Sequence, residues 1–176
     1  MIRFQTYRLI IRDIQTEDLD SLLAIYRRQE NMKFISDGRC DWSKEQLTGK
    51  YEKCNVNYAS GFGIFTVCLK DTDTVIGEAG LFDSFDATNK LESGYILDSA
   101  YWRQGFGKEI CNGLIQYCFN NLRISTVISR MYAENEGSVI LSEKCGMKRV
   151  NAGETNEGMK FYEYEISKGI LKKTIN

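Results

Sequence analysis

The chain has no histidine and no proline in 176 residues. Without histidine, the familiar cysteine–histidine zinc sites are excluded, and carboxylates become the natural bases for any proton transfer. The six cysteines (Cys40, Cys54, Cys68, Cys111, Cys118 and Cys145) include no C-x-x-C pair, so a zinc ribbon or dithiol redox motif is excluded as well. No metal site is expected. Cys111 and Cys118 are seven residues apart on one face of a helical pattern, where cysteine acts as a small hydrophobe. No long apolar run is present, and "MIRFQTYRLIIRD" carries charge through its apolar stretch, unlike a leader or a membrane span. Nor is there an excess of one charge. The net charge of -1 and pI of about 5.7 give no reason to expect a nucleic acid or membrane partner. A cytoplasmic protein is expected.

What is present reads as a globular chain. Hydrophobic residues make up 43% and charged residues 27%, and the length suits one domain spanning residues 1–176. Residues 7–13 alternate as a first strand. "TEDLDSLLAIYRRQE" follows as a helix with Thr16 as cap and Leu19, Leu22, Leu23 and Tyr26 on one face. "SKEQLTGKYEKCNVNY" opens on the capping-box pattern Ser43 to Gln46 and predicts a second helix. "GFGIFTVCLK", "TVIGEAGLF" and "KLESGYIL" predict an antiparallel meander. The pattern then changes to helix spacing at Phe106, Ile110, Cys111, Leu114, Ile115, Cys118 and Phe119. "ISTVISRMY" is a β-branched strand, "NEGSVILSEKCG" a short helix stopped by Gly146, and "MKRVNAG" and "KFYEYEI" are closing strands. No repeat, low-complexity segment or linker interrupts them. The fold class expected is α+β, a mostly antiparallel mixed sheet with helices on both faces.

The junction "YWRQGFGKEI" places two glycines between a strand and a helix. Amides at a helix start have no internal partner, and glycine lets a bulky anion approach them. Three phosphate motifs compete for it. The Walker pattern fails because Trp102 stands at its first glycine and Glu109 follows Lys108; G-x-G-x-x-G fails at Ile110. The acyl-CoA pyrophosphate loop R/Q-x-x-G-x-G/A fits Trp102 to Gly107 except at its first position. Those six residues alone are read equally well as a glycine turn that starts a helix.

The surrounding residues resemble the GNAT superfamily of acetyl-CoA-dependent N-acetyltransferases. They are most similar to the branch that acetylates the N-termini of ribosomal proteins. "ESGYILDSAYWRQGFGKE" (residues 92–109) resembles that branch's E-x-G-Y-x-L-x-x-x-Y-W-x-x-G-x-A/G-x-E run, tryptophan included. "NEGS" and "EKCGM" resemble its N-x-x-S and E-K-x-G-F/M, and the opening resembles its T-x-R-L-x-L-R. The likeness covers nearly the whole chain.

The resemblance implies a sheet splayed at the cofactor site. The strand holding Gly94 parts from its parallel neighbour, with a bulge expected at Gly94. Ile96 and Leu97 are implied to pair with the pantetheine arm, and the Leu97 N–H to polarise the thioester. Arg103, Gln104, Gly105, Phe106, Gly107 and Lys108 are implied to hold the pyrophosphate, chiefly through main-chain N–H groups. The Lys108 side chain reads equally as a solvated charge. Asn135 is implied to bond the pantetheine arm, or else to cap a helix. Glu92 is the first candidate to accept the amine proton, although it also reads as an exposed strand charge. Glu78 is the second, and Asp83 and Asp86 could attract a cationic acceptor. Many members carry a thiolate-protonating tyrosine seven residues after the motif asparagine; Ser142 stands there in this chain. The branch offers Ser138 as a substitute, which otherwise is a helix-surface serine. The function implied is acetyl transfer from acetyl-CoA to a primary amine, either a protein N-terminus or a small molecule, by direct attack in a ternary complex. A non-catalytic acyl-CoA sensor and a plain interaction domain of the same fold are the alternatives. Dimers are common among the resembled proteins, and a homodimer stays open here.

Overall fold

The computed structural model describes residues 1–84 and 89–171. All eight described strands join one sheet: β1 (Ile2–Gln5), β2 (Leu9–Asp13), β3 (Gly63–Leu69), β4 (Val75–Phe82), β5 (Lys90–Leu97), β6 (Thr126–Tyr132), β7 (Lys148–Glu154) and β8 (Lys160–Ser167). Their spatial order is β1-β2-β3-β4-β5-β6-β8-β7, and every pairing is antiparallel except β5 with β6. That one parallel pair needs a crossover, and helix α4 (Phe106–Asn120) supplies it.

Helices cover both faces of the sheet, as the sequence pattern expects. Alternation along the strands sends Leu9, Ile11, Phe65, Val67, Leu81, Leu91, Val127 and Ile166 to one face. The apolar stripe of α4 (Phe106, Ile110, Cys111, Leu114, Ile115, Cys118 and Phe119) packs onto it, and α5 (Glu136–Lys144) lies alongside. The opposite face is covered by α1 (Leu19–Tyr26) and α3 (Lys44–Cys54). Leu22, Tyr26, Leu47 and Tyr51 pack there on Ile64 and Ile96. Two short helices complete the chain, α2 (Gln29–Met32) and α6 (Lys168–Leu171). Among the described residues, no helix is long and apolar enough to cross a membrane.

Several local expectations hold and several change. Ser43 and Gln46 close the capping box, with N–H donations of 3.2 Å and 2.9 Å. Thr16 does not cap α1. It lies inside a 3-10 turn, and the Asp18 carboxylate accepts the Gln15 N–H at 2.8 Å. Gly94 makes no bulge, because the β4–β5 register runs unbroken from Gly77↔Leu97 to Phe82↔Glu92. Its partner Gly80 leaves room for the Phe82 ring, which a Cβ on Gly80 would meet at 2.4 Å. Cys111 and Cys118 are buried in the core, where burial pushes the Cys118 thiol up to about 12.

Asp18 ties α1 to the sheet. Its buried carboxylate accepts Arg12 Nη1 at 2.6 Å and Nη2 at 2.8 Å, and the Thr66 hydroxyl at 2.7 Å. Burial alone would raise its pKa; the bonds from Arg12, Gln15 and Thr66 outweigh it and hold the carboxyl below its ordinary value. A depressed carboxylate stabilises the fold above its unfolded pKa of about 3.9. That contribution is lost as pH falls below this value. Arg12→Met should cost about 3–5 kcal/mol at neutral pH by stranding the charge. In urea titrations from pH 7 to pH 3, the gap between variant and wild type should narrow on the acid side; a constant gap would show that the pair does not set acid stability.

Candidate active site

The parallel strands stay together for only three residue pairs, Lys90↔Thr126, Leu91↔Val127 and Glu92↔Ile128. Beyond them, residues 93–97 and 129–132 diverge. Two buried serines close the crotch: Ser93 and Ser129 share a 2.7 Å hydrogen bond, and Ser93 also donates to Ile128 O at 3.2 Å.

Two anchors fix which main-chain groups face the gap. Asn89 O accepts the Thr126 N–H at 3.1 Å, on the β6 side, and the Asp98 N–H donates to Ile76 O at 2.9 Å, on the β4 side. Strand amides alternate, so Ser93, Tyr95 and Leu97 turn toward β6 and Glu92, Gly94 and Ile96 toward β4. Of the two residues expected to meet the pantetheine arm, Leu97 opens into the gap. Ile96 pairs with Glu78 on β4, and Tyr95 takes its place beside Leu97. Trp102 Nε1 donates to Leu97 O at 2.7 Å, so the branch's tryptophan braces the strand end.

The chain then turns into α4 through two left-handed residues, Arg103 at φ 59° and Gly105 at φ 85°. Arg103, Gln104, Gly105 and Lys108 are exposed, whereas the Phe106 ring is buried in the core. The loop amides therefore stand at the positive end of a 15-residue helix dipole. Gly107 has a packing reason as well, since a Cβ there would lie 3.0 Å from Leu141 Cδ1 of α5.

Asn135 caps α5, its Oδ1 accepting the Ser138 N–H at 3.2 Å. The cap leaves the Asn135 amide nitrogen for other partners. The Tyr95 phenol reaches up from β5 beside Gly107, on the side of Ser138. Burial pushes the Tyr95 phenol up, and Ser138 only partly offsets it. Ser142 is buried, its Oγ 3.9 Å from Met131 Sδ.

Glu92 is the residue of β5 where the pairings with β4 and with β6 overlap, and its side chain lies on the opposite face from α4. Arg130 stands between it and Glu163: Nη1 is 3.9 Å from Glu92 Oε2, and Nε is 3.1 Å from Glu163 Oε2. Arg130 and Glu163 line a cavity of about 510 Å³ with aromatic walls Phe34, Tyr132 and Phe161. Asn151 and Thr155 add polar groups. Glu78 is elsewhere, buried and saturated by Tyr26 Oη at 2.6 Å, Tyr51 Oη at 2.6 Å and Lys50 Nζ at 2.7 Å. Burial, then the charge of Glu78, holds both phenols protonated. Asp83 is exposed, and Asp86 lies outside the described residues. Sequence patterns singled out neither Tyr95 nor Arg130, because only their tertiary partners mark them.

Comparison with known proteins agrees with this geometry. The profile of the acetyltransferase (GNAT) domain matches residues 8–148. The N-acetyltransferase p20 of Bacillus licheniformis is 28% identical over 168 residues, covering 94% of this chain and 89% of the relative. Spermidine N-acetyltransferase from Vibrio cholerae, solved with CoA and spermine, superposes with a TM-score of 0.79 at 19% identity, over 92% of this chain and 96% of its own. The ribosomal L7/L12 alpha-N-protein acetyltransferase RimL, solved with CoA, gives 0.81 at 11% identity, over 95% and 98%. A matching profile over most of the chain, joined to a sheet that opens beside a glycine-bearing helix start, places the protein in the GNAT acetyltransferase family, as an acetyl-CoA-dependent N-acetyltransferase.

Proposed function

We propose that the enzyme transfers acetyl from acetyl-CoA to a primary amine by direct attack in a ternary complex. The observation that carries this reading is the parting of β5 and β6 at Glu92. It joins an anion-binding helix start on one face to a carboxylate-bearing cavity on the other.

Residues 103–108 hold the pyrophosphate through their main-chain N–H groups. Tyr95 and Leu97 offer main-chain partners to the amide-bearing arm, and the Asn135 amide bonds it from α5. The Leu97 N–H polarises the thioester carbonyl, a contribution of roughly 3 kcal/mol for one such donor. Glu92 accepts a proton from the ammonium, whose ordinary pKa is about 10. The freed amine attacks the carbonyl carbon, the C–N bond forms and the C–S bond breaks. Ser138 delivers a proton to the departing sulfur, with the Tyr95 phenol behind it. The nitrogen sheds its second proton as the amide forms, so one proton is released overall.

Among the described residues that line the cavity, the charges are Arg130 and Glu163, which balance, and the Glu92 carboxylate stands on the far side of Arg130. Three aromatic walls, a balanced ion pair and one further carboxylate beside it suit a primary amine on an apolar body, including a peptide N-terminus with an apolar side chain. A panel of phenethylamine, a short peptide and spermidine, followed by free thiol release, tests this. The first two should exceed spermidine in kcat/KM by about tenfold, an energy of ~1.4 kcal/mol. CoA binding with no thiol released by any amine would leave the sensor reading, to which the serine at position 142 gives its footing.

Acid and base separate by mutation. Glu92→Gln should lower kcat and alter the acidic limb of the pH–rate profile while leaving acetyl-CoA affinity in place. Ser138→Ala should lose on the order of 10²-fold in kcat. A thioester with a more acidic thiol should restore much of that loss and none of the Glu92→Gln loss. Wild-type kcat across pH in both variants would remove both roles.

A further inference from the structure

Arg8 reaches the cofactor loop from the turn between β1 and β2, about a hundred residues away in the chain. Its Nη1 donates to Gln104 O at 3.0 Å. Its Nε donates to Glu109 Oε2 at 2.8 Å, and its main-chain N–H to Glu109 Oε1 at 2.6 Å. The guanidinium carbon lies 4.0 Å from the centroid of the Phe106 ring. Thr6 completes the knot, its hydroxyl donating to Glu109 Oε1 at 2.5 Å while accepting the Leu9 N–H at 3.1 Å. One side chain thus touches the loop before the helix, the first helical residue and the first-turn acid.

The peptide between Gln104 and Gly105 is trans, as are all described peptides. Its C=O and N–H point in opposite directions. Pinning Gln104 O against Arg8 therefore turns the Gly105 N–H away from the protein, toward the open side of the loop. A carbonyl held by a cation also polarises the N–H across the same peptide, which strengthens it as an anion donor. The pinned peptide follows Arg103, a non-glycine residue at φ 59°, a conformation that persists only where its surroundings impose it. Glu109 would otherwise set a carboxylate in the first turn, at the same positive helix end that must receive a diphosphate. Burial would raise its pKa, but the bonds from Thr6 and Arg8 win and keep it ionised and spoken for.

We infer that Arg8 is a positioning residue for the pyrophosphate loop: it fixes the direction of the Gly105 N–H and neutralises Glu109. This rests on the acetyl-CoA reading above. Its action goes through the loop's main chain, so it concerns the phosphate-bearing end of CoA and not the thioester end.

The test uses full-length wild type, Arg8→Gln and Arg8→Lys, with CoA and phosphate-free pantetheine as probes. Calorimetry should show CoA affinity falling roughly tenfold or more in Arg8→Gln, the scale of one lost charged hydrogen bond. KM for acetyl-CoA should rise in parallel, while kcat at saturation and KM for the amine stay near wild type. Arg8→Lys keeps the charge without the fork and should lose less. Inhibition by pantetheine should be the same in all three proteins, which a general loosening of the domain would not give. CoA affinity unchanged in folded Arg8→Gln, or CoA and pantetheine weakened alike, overturns the inference. If Arg8→Gln does not fold, Arg8→Lys decides by the same split between CoA and pantetheine. Wild type that binds no CoA overturns the proposed function and this inference with it; wild type that binds CoA beside a variant that binds it equally overturns the inference alone.

Discussion

Beyond Glu92, two neighbouring parallel strands give up each other's hydrogen bonds. Main-chain N–H and C=O groups left unpaired inside a protein cost free energy comparable to lost hydrogen bonds. The separation persists because each strand is held from its far side. β5 is paired with β4 from Glu92 to Leu97, and β6 with β8 over seven residues. The serine pair fixes where the opening starts, and Trp102 occupies the Leu97 carbonyl at its wide end. The gap is thus built into the sheet, and on the proposed reading the amide-bearing arm of CoA would fill it. The order of the remaining parts follows from it: α4 must begin where β5 ends, and α5 must begin where β6 ends.

The helix starts are prepared in different ways. α5 uses a local device, the Asn135 side chain bonded to the Ser138 amide. α4 has no side-chain cap; its N-cap is Gly105 in a left-handed conformation. Its first amides stay available, and the loop is steadied from outside by the N-terminal hairpin. That hairpin forms one edge of the sheet, and it meets α4 again through Phe4 and Tyr117, stacked at 5.1 Å between centroids. The edge hairpin is thereby coupled to the start of α4.

Much of this was legible in the sequence. β5 starts and ends where "KLESGYIL" does, α4 follows its apolar spacing within a residue, and the Ser43–Gln46 box closes as written. These features depend on local periodicity and capping. Parity was not legible. Whether Tyr95 or Ile96 faces the gap is set by Asn89 and Asp98, whose partners lie on other strands. A shift of one residue exchanges every main-chain direction. Gly94 looked like a bulge because a mid-strand glycine often marks one. Here the steric demand falls on its partner Gly80 beneath Phe82, and a Cβ on Gly94 would meet that ring only at 3.6 Å. Glu78 and Glu92 look alike in sequence, and only the packing of Tyr26, Tyr51 and Lys50 around the former distinguishes a structural carboxylate from one beside a cavity. Arg8 was legible only as part of an opening motif, with no sign of the loop it touches.

The serine at position 142 raises a question about the source of a proton. The family's usual phenol would stand on α5 at that point, yet Ser142 is buried against Met131. One turn earlier, Ser138 is near the phenol of Tyr95, which comes from β5 and lies beside Gly107. A phenol is therefore still present near α5, but it belongs to the strand. Burial holds it protonated, the state required of a group that donates. The same residue turns its main chain into the gap, so on the proposed reading Tyr95 would meet the amide-bearing arm with its backbone and support Ser138 with its side chain. The two tasks are compatible because strand geometry sets main-chain and side-chain directions roughly at right angles.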